Sequence, residues 1–353
     1  MANIGRHIRD TGSMIMIMSK IVFYVVVLLV VAATINIGDD GFVGTVESLS
    51  LDTTTNIRRT VVTYGPQARE LILLTSKLAA KDGYDSFCIC APGQEGKSRK
   101  LMYGIEVGDD DDVGSSDNGD DDDPKQQQQR AEPISSPDDI QNALTKANVL
   151  ILVCYDSPIE EKSLNTLLNT AASGNNDQLS KIVLISKMGV SSSGGGGGFF
   201  NGGGNSKLLD SENKIRSICK SKNIDLSIVR AGQVKGGGPG EPSENDYGLN
   251  KAYYNTLLDL SEASVSMSHD RFTLGVDCTK GDSVDVPNIF TLLGTKSTFE
   301  AAPYDSSRIN VAKAAVLAAS YNKPVEFSVS SKRSETLPSK EEWETILEKM
   351  TVS

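Results

Sequence analysis

Past Arg59 the chain alternates short β-branched runs with stretches whose apolar residues recur every three or four positions. Residues two apart share a face of a strand, and residues three or four apart share a face of a helix, so the two periods separate the elements. They predict strands at 60–64, 86–90, 101–107, 149–154, 181–186, 225–230, 272–277 and 325–329. Helices are expected at 67–80, where Leu71, Leu74 and Leu78 keep helical spacing, and at 159–172, 206–222, 249–262 and 308–320. Ser136, Pro137, Asp138 and Asp139 start another helix, with a capping hydroxyl, a proline suited to the first turn and two acids favoured there by the dipole. A capping box from Ser339 to Glu342 opens the last one. Strands and helices alternating in this way build βαβ units and a parallel sheet.

Two stretches interrupt the pattern. Residues 108–132 combine aspartate runs with glycine, serine and four consecutive glutamines, and residues 191–205 are dominated by glycine. Neither can bury enough apolar area to order itself, so both are expected to be disordered surface insertions. A glycine homopolymer supplies flexibility without the defined turn that a phosphate-cradling loop needs, so 191–205 reads as a linker.

Ahead of the domain, Arg6, Arg9 and Lys20 precede an apolar run at 21–33 that closes on small residues. That order fits a signal peptide, and the run is short for a span of about 20 residues, although extending it reaches that length. Residues 1–37 are therefore read as a signal peptide or a membrane anchor, 38–56 as a linker and 57–353 as one domain. The expected destination is export or an organelle by the secretory route, a plastid among the options, or attachment to a membrane or protein complex through the N-terminus.

With 39% hydrophobic and 23% charged residues, the chain has the composition of a domain with a buried core. Its net charge of −11 disfavours nucleic acid as a partner, because affinity there rests on cations neutralising phosphates. Much of the acidity lies in two aspartate runs, 109–112 and 120–123, and describes an insertion rather than a site. Five cysteines, several inside apolar runs, fit buried free thiols. Cys88 and Cys90 find no second Cys/His pair at zinc spacing, and no metal site is expected.

Several segments together carry a family resemblance: KIVLISKMGV at 181–190, IDLSIVRAGQV at 224–234 with Gly236 to Gly238, SRINVAKAA at 307–315, and Glu341-Glu342-Trp343. In this order the chain resembles the atypical short-chain dehydrogenase/reductases, the NmrA-like, NAD(P)-binding proteins. The resemblance implies an α/β fold, a doubly wound, mostly parallel Rossmann-type sheet in a single domain, with a dinucleotide across the carboxyl ends of the strands and an unidentified small molecule beside it. Its pyrophosphate would lie against the first helix, where unpaired N–H groups favour anions.

The matching loop reads Tyr64-Gly65-Pro66-Gln67-Ala68-Arg69, with one glycine of the usual three. It is either a divergent cofactor site, with Gly65, Gln67, Ala68 and Arg69 near the phosphates, or a plain strand-to-helix turn. Ala91, Tyr155, Ala231 and Val234 would complete the cofactor's surroundings. Lys97 and Arg99, with no acid closing the second strand, would suit a 2′-phosphate, so NADP is expected in preference to NAD. Ser186 matches the family's catalytic serine. The tyrosine–lysine pair that belongs between 186 and 225 is absent, since that interval holds no tyrosine, and Tyr247 with Lys251 supplies the spacing on a later connection. The resemblance thus leaves an NADP-dependent oxidoreductase, a non-catalytic scaffold or assembly factor held near a membrane, or an epimerase acting on a nucleotide sugar, which needs the same tyrosine–lysine pair.

Overall fold

The computed structural model describes residues 58–104, 129–172, 178–191, 204–239, 247–257, 260–282 and 305–352. The N-terminal segment, the 38–56 linker and most of both insertions lie outside them. Among the described residues no helix is long and apolar enough to cross a membrane.

The first strand, β1 (Thr60–Tyr64), is buried along its whole length and leads into α1 (Arg69–Lys81). Then come β2 (Asp85–Ile89), α2 (Glu95–Tyr103), β3 (Glu132–Ile134), α3 (Pro137–Lys146), β4 (Val149–Val153) and α4 (Glu161–Ala172). They are followed by β5 (Lys181–Lys187), α5 (Gly204–Lys222), β6 (Asp225–Ala231), the short β7 (Gln233–Lys235), a 3₁₀ turn at Lys251–Thr256 and α6 (Leu260–Phe272). The chain finishes with β8 (Gly275–Lys280), β9 (Asp305–Ser307), α7 (Arg308–Ser320), β10 (Glu326–Lys332) and α8 (Lys340–Met350).

Eight strands form one sheet in the order β3-β2-β1-β4-β5-β6-β10-β8, parallel except for β8, which runs antiparallel to β10. A second, two-stranded sheet pairs β7 with β9. The chain works outward from β1 to β3 and then returns to place β4 on the other side of β1. The strand order therefore reverses between β1 and β4, the crevice where open α/β sheets take ligands. This is the doubly wound, Rossmann-type fold.

Alternation along the strands explains why both faces are covered. Val61, Ile151, Val183 and Val229 point to the layer of α1, α7 and α8, while Val62, Leu152, Leu184 and Ile228 point to α3, α4 and α5. Helix α1 buries four consecutive apolar residues, Leu71 to Leu74, because α2 and α7 flank it as well as the sheet. Burying each such side chain contributes about 1.5–3 kcal/mol. Ser136 accepts from the Asp139 amide at 3.1 Å, and Ser339 and Glu342 close the capping box on α8.

Three predicted elements differ. Of the strand expected at 101–107, residues 101–103 instead end α2, Gly104, at φ 80°, caps that helix in the left-handed region, and 105–107 lie outside the described residues. The third strand is β3, whose Glu132 the sequence assigns to the insertion. The helix expected at 249–262 is instead the 3₁₀ turn, capped by Asn250, with α6 beginning at Leu260. As a result Phe272 closes a helix instead of opening a strand. All five cysteines are free thiols, with Cys88, Cys154 and Cys219 buried.

Candidate functional site

The carboxyl ends of β1, β4, β5 and β6 converge on the reversal point. At the exit of β1 the chain presses against β4: a Cβ on Gly65 would stand 2.6 Å from the Val153 carbonyl oxygen and 3.1 Å from Ile72. Glycine is required there by backbone packing. Gly65→Ala is expected to destabilise the protein by about 1–3 kcal/mol, the usual range for overpacking, read by urea unfolding.

Pro66 and Gln67 are exposed, and Ala68 takes the left-handed conformation, φ 58° and ψ 45°, as the N-cap of α1. Its carbonyl accepts from the Leu71 and Ile72 amides at 3.0 and 3.1 Å. A left-handed residue followed by helical ones turns successive N–H groups inward, a concavity that suits anions, and the helix dipole adds to it. Arg69 stands at this turn; its guanidinium meets Glu70 at 3.3 Å, and its Nε is buried without a hydrogen-bond partner.

Tyr155, just past β4, donates its hydroxyl to the Gly232 carbonyl at 2.6 Å and accepts from the Val234 amide at 3.0 Å. It therefore staples the end of β4 to the turn between β6 and β7. Ala231 is fully buried beneath that turn. Burial pushes the Tyr155 hydroxyl's pKa up. Next to it, Asp156 is raised by burial, opposed by Lys187 and Arg308 and reinforced by Glu70. The mouth of the crevice thus mixes two cations with two carboxylates.

Ala91 is exposed at the end of β2. Lys97 and Arg99 lie on α2 rather than in a loop, and two residues apart on a helix they face different ways. Arg99 is half-buried, and its charge lowers the pKa of both Cys88 and Cys90 against the larger effect of burial. Lys97 is exposed.

Ser186 is 1% exposed and donates to Glu212 Oε2 at 3.2 Å. Glu212 sits on α5, and Arg216 follows it four residues later at 3.0 Å. Arg230 from β6 pairs with Glu212 and reaches Glu326 of β10 at 2.8 Å, and Arg216 reaches Glu326 at 2.7 Å. Burial raises the Glu326 pKa, but the hydrogen bonds and charges of Arg216 and Arg230 outweigh it and hold the carboxyl below its ordinary range. Two arginines and two glutamates thus fill the space around the serine hydroxyl.

Tyr247 and Lys251 do not form the missing pair. The Tyr247 ring lies 4.3 Å from the Lys81 ammonium, and Lys251 is exposed on the 3₁₀ turn. A second polar cluster lies under β7. Asp270, 1% exposed, accepts from the Gly237 and Gly238 amides at 2.5 and 2.9 Å and from the Tyr254 hydroxyl at 2.9 Å. Arg308 donates to the Gly236 carbonyl and to the Tyr253 hydroxyl. None of these side chains, nor Glu212 and Arg230, is singled out by the sequence as a site residue, although Arg230 and Arg308 lie in segments that carry the resemblance. Two signals were present: a lone arginine inside the apolar run IVRA, and the i, i+4 spacing of Glu212 and Arg216.

No family model and no curated protein matches the chain. Among solved structures it is similar to a UDP-N-acetylglucosamine 4-epimerase from Methanobrevibacter ruminantium in complex with UDP-N-acetylmuramic acid, at 10% identity over 78% of each chain, TM-score 0.41. It is also similar to Gre2 from Candida albicans in complex with NADPH, at 11% identity over 78% of this chain and 79% of that one, TM-score 0.43. The oxidoreductase ylbE from Lactococcus lactis shares 13% identity over 83% of this chain and 99% of its own, TM-score 0.42. Each likeness is one of overall fold.

Proposed function

We propose that this chain binds a nicotinamide dinucleotide, NADP in preference to NAD, across the ends of β1 and β4. The observation that carries the reading is the left-handed Ala68 at the start of α1, which gathers N–H groups at the reversal point beside the unsatisfied Nε of Arg69. Bound there, the cofactor would supply hydride chemistry. Arg69 would meet the pyrophosphate, Arg99 the 2′-phosphate, and Tyr155 would hold the floor through Gly232 and Val234.

Titrating the whole chain with NADPH and NADH tests this. Saturable binding is expected, tighter for NADPH. Arg69→Gln should weaken both nucleotides about tenfold, roughly the 1.4 kcal/mol of one charge-assisted hydrogen bond. Arg99→Gln should weaken NADPH alone. No saturable binding at millimolar concentration overturns the proposal.

A second reading, a non-catalytic scaffold or assembly factor held near a membrane by its N-terminal segment, is favoured by one feature. The Ser186 hydroxyl is already engaged by Glu212 and enclosed by charged pairs, so it has no free geometry for polarising a carbonyl. That reading expects co-purification with a complex and no loss of function in Ser186→Ala.

A further inference from the structure

The segment from Gly232 to Gly238 leads from the crevice to the polar cluster under β7 as a strap pinned at both ends. At its front, the Tyr155 hydroxyl holds the Gly232 carbonyl and the Val234 amide, and the Ser306 hydroxyl accepts from the Gly232 amide at 2.8 Å. Its middle, β7, pairs with β9, where Lys235 meets Asp305 at 2.8 Å. At its back the chain turns sharply. Gly236 and Gly237 have φ of 68° and 120°, a region that strains an L side chain. That turn aims the successive amides of Gly237 and Gly238 at one carboxylate, Asp270.

Asp270 stands in a costly place for an acid. It lies in the last turn of α6, where the helix dipole disfavours negative charge, and it is 1% exposed. The strap offsets those costs: of the three donors Asp270 meets among the described residues, two are the turn amides and the third is the Tyr254 hydroxyl. Around the same turn the Gly236 carbonyl accepts from Arg308 and from the Tyr253 hydroxyl, and the Gly237 carbonyl from the Leu249 amide at 2.8 Å. The fit is close, since a Cβ on Gly236 would overlap the Asp270 carboxylate and one on Gly238 the Tyr254 ring.

We propose that Asp270 is a positioning residue for the crevice: by fixing the turn at Gly236 to Gly238 it sets Val234, and through the Val234 amide it sets the Tyr155 hydroxyl on the crevice wall. Gly237 and Val234 are three positions apart. The strand between them, β7, has three residues and a single partner strand, so a shift of the turn carries it along instead of being absorbed by a large sheet. The inference rests on the proposed dinucleotide site only for what the crevice wall meets.

Hydrogen exchange of the whole chain at neutral pH, followed amide by amide by NMR, reads the positioning without any nucleotide. Asp270→Asn offers one acceptor oxygen where the carboxylate uses two. The Gly237, Gly238 and Val234 amides are then expected to exchange at least tenfold faster relative to the amides of β1, which report global opening. Tyr254→Phe, a milder change that takes one donor from the carboxylate, should give the same pattern at smaller size. NADPH affinity is read in parallel. Asp270→Asn and Tyr155→Phe should each lower it, and the double variant should bind no more weakly than the weaker single one, because both act through Val234. Val234 exchange that keeps step with β1 while Gly237 and Gly238 quicken overturns the proposal, as do additive losses of affinity. If the parent itself binds no NADPH, the proposed function falls, and the exchange of Val234 alone decides the role of Asp270.

Discussion

Glu212→Gln should destabilise the protein by about 3–5 kcal/mol, the largest single effect expected from the residues around Ser186. Removing one carboxylate from this buried cluster leaves two arginines sharing Glu326, and that under-compensated charge dominates the change. Arg230 is 1% exposed and its Nε and Nη1 already lack hydrogen-bond partners, so it has no route to water when Glu212 loses its charge. Both arginines keep Glu326, at 2.7 and 2.8 Å, but the Arg216 side chain is partly exposed and can turn to water, which makes the buried Arg230 the group that bears the loss.

The double variant Glu212→Gln with Arg230→Met removes both charges and fills the space with an apolar side chain of similar length. It is expected to recover part of the loss, with a coupling energy of about 1–3 kcal/mol between the two positions, measured by urea unfolding of both single variants and the pair. Additivity within about 0.5 kcal/mol would show that the network does not act as a unit.

The second large effect concerns pH. His269 and Asp270 are neighbours in sequence, both buried, and burial moves them in opposite senses. The imidazole pKa is pushed down to about 4, chiefly by desolvation, with Asp305 opposing and Lys235 and Arg308 assisting. The Asp270 carboxyl is pushed up to about 6 by burial, against the Gly237 and Gly238 amides, the Tyr254 hydroxyl and Arg308.

A histidine whose native pKa is depressed leaves the unfolded chain holding more protons between about pH 4 and 6.5, so its contribution to stability grows as pH rises through that window. A carboxyl whose native pKa is raised leaves the native protein holding more protons between about pH 4 and 6, so its contribution shrinks over nearly the same window. Each amounts to roughly 3 kcal/mol at 1.36 kcal/mol per pKa unit, and the two nearly cancel.

Single variants should separate them. Relative to the parent, Asp270→Asn is expected to become steadily more stable as pH rises from 4 to 6, and His269→Gln steadily less stable as pH rises from 4 to 6.5. Taking differences from the parent removes the contribution of every other titrating group. Difference profiles that run the same way in both variants would refute the assignment.

How far the sequence was legible follows from which interactions are local. Strand β1 and helix α7 stand where the periodicity puts them, because each residue's burial there is decided by its own element. Strand β3 could not be read: in three residues, Glu132, Pro133 and Ile134, a single β-branched side chain shows no alternation, and an edge strand needs none. The triplet Leu101-Met102-Tyr103 misleads because a short apolar run fits a strand and a buried helix end equally. In the site, Gly65 announces itself. The left-handed turn at Ala68 does not, since alanine carries no mark of that conformation, and the partners of Ser186 come from three elements spread over more than 100 residues.

Strand β3 also governs what the protein can do in company. The Ile134 carbonyl accepts from the Cys90 amide at 2.9 Å, so Ile134 turns its peptide groups toward β2 and Pro133, one residue earlier, turns its own outward. A proline has no N–H to offer there. The outer margin of this strand therefore presents no amide donor to a passing chain, and a neighbouring molecule cannot extend the sheet from that side. Fibre-like growth through strand addition is closed off at β3 by one imino acid, which leaves β8 as the only margin of the large sheet, among the described residues, from which such growth could start.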